Sequence, residues 1–269
     1  MKLIFTILLN LLGSIAFAQT DNWDNYVVSV NEKPVSVVVN LGLRDLAPAK
    51  ERPYAIILRL KYPDVDEKGF PTVEMADDLN KLESMLEASL QKSNGAWYAG
   101  RFTQRGLREF YFYTLDTVDY FKTCAAVLVQ FPKFPWLVKA VYDKAWSNYF
   151  EVLYPQNEEK EKLENRRTID ELVKKGDVSS RQRPIDHTLF FKSDWHRKQF
   201  LKAIEEPGFK VIEMPIEKLN NSERGFKLVL RRDDKPELQA MNDLTIRLSQ
   251  LATKNGGQYS GWSTYVVKG

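Results

Sequence analysis

One cysteine and two histidines are all that the 269 residues offer of those types. A zinc cluster, an internal disulfide and most multi-histidine metal chemistry are thereby excluded. Glycine (13) and proline (12) are too sparse for a fibrous or low-complexity chain. Neither sign of charge dominates: 39 basic and 36 acidic residues give a formal net charge of +3. Bulk charge therefore does not announce a nucleic-acid or membrane-surface binder. No nucleophile elbow, dinucleotide glycine fingerprint, P-loop or H-E-x-x-H zinc signature occurs. What is abundant is apolar: 43% of the chain is hydrophobic, enough to bury a core and to exclude disorder as the main state. The length suits about two domains of ordinary size.

Long apolar runs are missing except at the front. Lys2, the stretch Leu3 to Leu12 (with Thr6 and Asn10 as its polar members) and Ala16-Phe17-Ala18 read as the three regions of a secretory signal peptide, cut after Ala18. The run is too short to span a bilayer, which takes about 20 apolar residues. Gln19, not cysteine, would follow the cut, so a lipid anchor is not supported. The mature chain is expected to lie outside the cytoplasm, periplasmic or secreted, with no membrane span. The lone Cys124 sits in an apolar run and reads as a buried, inert thiol.

Two stretches repeat one pattern. Tyr26 to Val30 and Val35 to Leu41 read as a hairpin across Asn31-Glu32-Lys33-Pro34. From Tyr54 the order is strand, helix (Leu79, Leu82, Leu86 and Leu90 on one face), two strands around Gly106, a helix capped by Asp116, and a strand at Trp136 to Tyr142. The order recurs from Ile185. Ser193 caps a helix, Phe209 to Ile216 and Phe226 to Arg231 are strands, and Pro236 opens a helix lined by Leu238, Met241, Leu244, Leu248 and Leu251. A last strand follows at Gln258 to Val267. The expected fold is α+β: two ferredoxin-like βαββαβ modules, the second preceded by a charged helix. Residues 155–184 hold 15 charged residues in 30, with Leu163, Ile169, Leu172 and Val173 as a thin apolar stripe. Domain boundaries are placed at 19–156 and 157–269, with net charges of −2 and +4.

No catalytic, metal-ligating or cofactor-binding constellation is evident. His187 alternates in phase with Ile185, Leu189 and Phe191 and reads as a core histidine. The acidic clusters, among them Asp64/Asp66/Glu67 and Glu205/Glu206, read as solvated surface. Two features suit binding. The hairpin from Trp97 to Tyr113 interleaves aromatic and basic residues. Alternation puts either Phe110 and Phe112 or Tyr111 and Tyr113 on an open sheet face, with Arg101 and Arg108 beside them. The second feature is Tyr259-Ser260-Gly261-Trp262-Ser263-Thr264-Tyr265, where Tyr259, Trp262 and Tyr265 are candidate anchors. Another protein is the expected partner, and neither nucleic acid nor a cofactor is.

The run Glu164-Asn165-Arg166-Arg167-Thr168-Ile169-Asp170-Glu171-Leu172, then Gly176-Asp177, Arg183-Pro184-Ile185-Asp186-His187 and Gly257-Gln258-Tyr259-Ser260-Gly261-Trp262-Ser263-Thr264 resemble the regulator of ribonuclease E activity B family. The first module resembles the domain of unknown function 695 family. There the matching residues are Trp23, Asn40-Leu41, Gly69-Phe70-Pro71, Gly100-Arg101, Thr103, Gly106, Arg108-Glu109, Tyr111-Phe112-Tyr113, Asp143, Trp146, Tyr149 and Pro155. The first resemblance implies a small non-catalytic protein that binds and inhibits a cytoplasmic endoribonuclease; the second implies an architecture without an activity. The export signal and the second module's net charge of +4 separate this chain from an acidic cytoplasmic regulator. The expectation is an exported, non-enzymatic binding protein. A ribonuclease or RNA regulator and a carboxylate-dependent hydrolase stand as alternatives.

Overall fold

Alternating apolar residues build the first unit around a six-stranded sheet. The computed structural model describes residues 21–204, 207–214 and 225–269, in two compact units that divide between Tyr154 and Pro155. Residues 1–20, on which the expected export leader falls, the Glu205/Glu206 pair and most of the link after β8 lie outside the described residues. The first unit runs β1 (Trp23–Val30), β2 (Lys33–Asn40), β3 (Tyr54–Lys61), α1 (Val73–Asn94), β4 (Trp97–Gln104), β5 (Leu107–Thr114), α2 (Tyr120–Leu128) and β6 (Trp136–Tyr142). All neighbours are antiparallel, in the order β1-β2-β4-β5-β3-β6. From β3 onward this is the ferredoxin-like arrangement, extended at one edge by the β1–β2 hairpin.

Helix α1 starts where Thr72 accepts from the Met75 N–H and stops at Gly95 in the left-handed region; Leu79, Leu82, Leu86 and Leu90 are its buried face. Helix α2 starts later than expected. Asp116 Oδ1 accepts from the Val118 N–H in a tight turn, so the helix begins four residues on, after Asp119. Such a local side-chain bond holds the backbone out of the helix.

The sheet of this unit is covered on both faces. Ile56, Leu58, Leu60, Tyr98, Phe110 and Phe112 pack against α1 and α2. The alternate residues Ala55, Ile57, Ala99, Tyr111 and Tyr113 pack under Leu43, Ala49, Trp146, Tyr149 and Leu153. The second cover comes from the β2–β3 connection and from the chain after β6, which includes a π-helical turn at Asn148–Leu153. Gly100, at φ 145, lets β4 approach the Val38 carbonyl of β2, where any Cβ would collide.

The second unit runs α3 (Asn157–Lys174), β7 (Arg183–Phe191), α4 (Asp194–Ala203), β8 (Lys210–Glu213), β9 (Phe226–Asp234), α5 (Leu238–Lys254) and β10 (Gly257–Ser263). Its strand order β10-β7-β9-β8 is again ferredoxin-like. Leu189, Phe191, Leu228, Leu230 and Tyr259 form the buried face of the sheet, against Phe200 of α4 and Leu244, Leu248 and Ala252 of α5. Ser193 caps α4 by accepting from the His196 N–H, as its position predicts. Both modules are thus α+β with antiparallel sheets.

Candidate functional site

Neither face of the aromatic hairpin is open, which corrects the expectation of an exposed aromatic surface. Tyr111 and Tyr113 are buried, because the chain after β6 folds back over their side of the sheet. Trp146 stacks on Tyr113 with ring centres 3.7 Å apart. Tyr113 donates its hydroxyl to Asp143 Oδ2 at 2.7 Å and accepts from the Tyr149 N–H at 3.0 Å. Tyr111 donates to Glu109. Both tyrosine hydroxyls have pKa values pushed far up, first by burial and then by these carboxylates.

The basic residues of the hairpin are also spent inside the unit. Arg101 bonds Glu83 of α1, and the buried Arg108 donates to Thr103 and lies 3.7 Å from Glu83. Burial lowers the Arg108 pKa to about 10, helped by the neighbouring Arg101 and opposed by Glu83. Tyr98 donates to Glu83 as well. These residues build the first unit and leave no aromatic-basic platform.

In the second unit a cleft of about 440 Å³ opens between α3 and the β10 edge of the sheet. Its lining draws on Glu161, Glu164, Arg167 and Thr168 from α3, Thr188 and Phe190 from β7, and Ser260 to Ser263 from β10. A register irregularity between Tyr259 and Gly261 sets its geometry: Tyr259 pairs with Leu189 and Trp262 with His187. Residues three apart would ordinarily face opposite sides. The inserted residue, with Gly261 at φ 117, brings Tyr259 and Trp262 to the same face. Tyr259 lies in the core beneath, its hydroxyl 2.8 Å from His187 Nδ1. Trp262 is half-buried at the cleft, while Tyr265 is exposed beyond the strand.

Asn165 holds the cleft together. Its Oδ1 accepts from Trp262 Nε1 at 2.7 Å, and its Nδ2 donates to Thr245 Oγ1 at 2.7 Å and Asn242 Oδ1 at 3.0 Å. One amide thereby ties α3 to β10 and α5. Reading α3 by its leucines misses Asn165 and Glu161, both buried. Glu161, Asn165 and Leu172 recur at helical spacing on one face, which is the signal that marks them.

Glu161 is the electrostatic outlier. Burial pushes its pKa up to about 7, Glu164 adds to the rise, and a hydrogen bond from Ser249 opposes it. His187 goes the other way. Burial lowers it to about 4, against the pull of Asp234. No cluster of metal-ligating side chains forms among the described residues, and no described helix is long and apolar enough to cross a membrane.

Most residues lining this cleft come from two segments about a hundred positions apart, Glu161 to Thr168 and Ser260 to Ser263, with Thr188 and Phe190 of β7 between them, and comparison with known families joins the two. Residues 162–264 match the family model of the Regulator of ribonuclease activity B (RraB), and residues 21–154 match that of a Family of unknown function (DUF695). Each half resembles a different family. The DUF695-like match covers the first unit, and the RraB-like match covers the cleft lining except Glu161. No curated protein matches the chain. Two solved structures align, each with a TM-score of 0.21, too low to carry an argument. One is an unknown protein from Galdieria sulphuraria, 12% identical over 78% of this chain and 97% of that one. The other is a candidate glycine cleavage system transcriptional repressor, 8% identical over 79% and 98%.

Proposed function

We propose that this chain is a non-enzymatic regulator that acts by binding another protein at the cleft between α3 and β10, outside the cytoplasm. One observation carries the reading. The RraB-like motif residues from two distant segments line an open cleft, whereas the DUF695-like motif residues Tyr113, Asp143, Trp146 and Tyr149 bond and stack on one another. Residues spent on internal packing make a scaffold. Residues gathered around an accessible cleft with aromatic and charged groups make a recognition site.

The test is capture of partners by the tagged full chain, crosslinked in the fractionated native host, beside a Ser260→Tyr variant. Ser260 is exposed on β10 at the cleft, so a tyrosine there obstructs it without entering the core. Native protein recovered outside the cytoplasm with a stoichiometric partner, lost in the variant, is the expected result. Equal capture by both removes the cleft as the contact. The RraB-like match favours a second reading, with a ribonuclease as the partner. An unprocessed cytoplasmic chain that brings down a ribonuclease would establish it and overturn the export assignment.

A further inference from the structure

The cleft has an aromatic ring, Trp262, on its sheet side and charge on its helix side. Trp262 comes from β10 and Glu161, Glu164 and Arg167 from α3, whereas Phe190 of β7 lines the cleft from the opposite face of the sheet. Trp262 is fixed by its indole N–H on Asn165, so the orientation of the ring is set before anything binds. Carboxylates outnumber the one guanidinium in the lining. Thr168, Thr188, Ser260 and Ser263 add hydroxyls that can accept.

We infer that the cleft takes an arginine side chain of the protein partner, its guanidinium bonded to the Glu161 and Glu164 carboxylates and set against the Trp262 ring. The inference rests on the reading of the cleft as the partner contact. Guanidinium fits this set better than ammonium. Its flat face stacks on aromatic rings, and its five N–H donors use several acceptors at once. Arg167, three residues after Glu164 on the same helix, limits the site to one added cation.

Glu161 makes recognition depend on pH. Its buried carboxyl holds a proton up to about pH 7. Lys160 and Glu164 face it from its own helix. Ser249 from α5 bonds it, Tyr259 from β10 interacts with it, and Glu158 and Lys254 line the groove on its far side. An arriving guanidinium supplies the counter-charge that burial took away, so the carboxyl ionises and binding releases a proton. With the ionised fraction rising from about a tenth at pH 6 to about nine tenths at pH 8, affinity should rise about tenfold.

The experiment uses the isotope-labelled full mature chain and follows the Trp262 indole N–H by nuclear magnetic resonance. The probes are acetyl-Gly-Arg-Gly-amide and its lysine and glutamate counterparts, at millimolar concentration. The arginine peptide should move the Trp262 signal, bind more tightly than the lysine peptide, and gain about tenfold in affinity from pH 6 to pH 8. Glu161→Gln should bind weakly with no pH slope. Glu164→Gln, at an exposed position, should weaken binding and keep the slope. The inference is overturned if the glutamate peptide is preferred, if the arginine peptide leaves Trp262 unmoved, or if native affinity is the same at both pH values. Should the peptides fail while Ser260→Tyr still abolishes partner capture, only the occupant is wrong. If Ser260→Tyr captures its partner normally, the cleft reading itself falls.

Discussion

Two buried groups of the RraB-like unit titrate in opposite directions over nearly the same range, and substituting each singly separates them. His187 is fully buried, with Nδ1 against the Tyr259 hydroxyl and Nε2 without a hydrogen-bond partner. Its pKa falls from 6.5 to about 4 on folding. Between those values the unfolded chain holds a proton that the folded one does not, so stability present above pH 6.5 is lost as pH falls toward 4. Glu161 rises from 4.5 to about 7. The folded chain holds its extra proton, so stability present below pH 4.5 is lost as pH rises through 7. Glu161→Gln imitates the protonated carboxyl and removes the second dependence. Relative to the native chain it should therefore be more stable at pH 7.5 by about 3 kcal/mol, an advantage that disappears near pH 4.5. His187→Gln should show the reverse trend, gaining about 2.5 kcal/mol on the native chain between pH 7.5 and 4.5. Urea titrations of the full chain at both pH values, followed at the Trp262 indole proton, measure both differences. A difference from native that does not move with pH for either variant would refute the assigned burial of that group.

Other perturbations test the packing. Trp146→Ala removes a fully buried ring stacked on Tyr113 and should cost about 3–5 kcal/mol, read from the urea midpoint of the first unit. Tyr113→Phe removes a donor from Asp143. Burial raises that carboxyl's pKa, but bonds from Asn148, Tyr113 and Ser147 together hold it below the ordinary value. The variant should move the Asp143 titration upward, as measured by carbon-detected magnetic resonance. Asn165→Ala leaves Thr245 and the Trp262 indole without their partner, at about 1–3 kcal/mol for each stranded group. It should also speed hydrogen exchange at that indole. Gly100→Ala should destabilise the first unit through a clash with the Val38 carbonyl, read as a lowered melting temperature.

The order of elements was legible because strong periodicity survives without tertiary information. The leucines from Leu79 to Leu90 and from Leu244 to Leu248 mark helices α1 and α5, and the alternation around His187 marks β7 and the buried face of its sheet. Alternation could not say what covers the other side of β5, since that depends on a later segment folding back over Tyr111 and Tyr113. The start of α2 was misplaced because two aspartates compete at its entry, and Asp116 is taken up by its own turn. At the candidate site Trp262 was visible as an aromatic next to glycine. Its position on the same face as Tyr259 was not, because one inserted residue reverses the parity of the strand. Asn165 stood in plain view within a charged helix, where a polar residue reads as solvated until its partners on α5 and β10 are known.

The Asn165 amide also bears on the order in which this molecule is assembled. Helix α3 opens the second unit, yet the groups that clasp it, Thr245 and Trp262, come 80 and 97 residues later. During synthesis the helix must wait for nearly the whole module before it has anything to close upon. A chain cut before β10 would retain α3, β7 and α5 and still have no cleft. The proposed binding surface is completed last, so on that reading a truncated or stalled product could not compete with the finished protein for a partner.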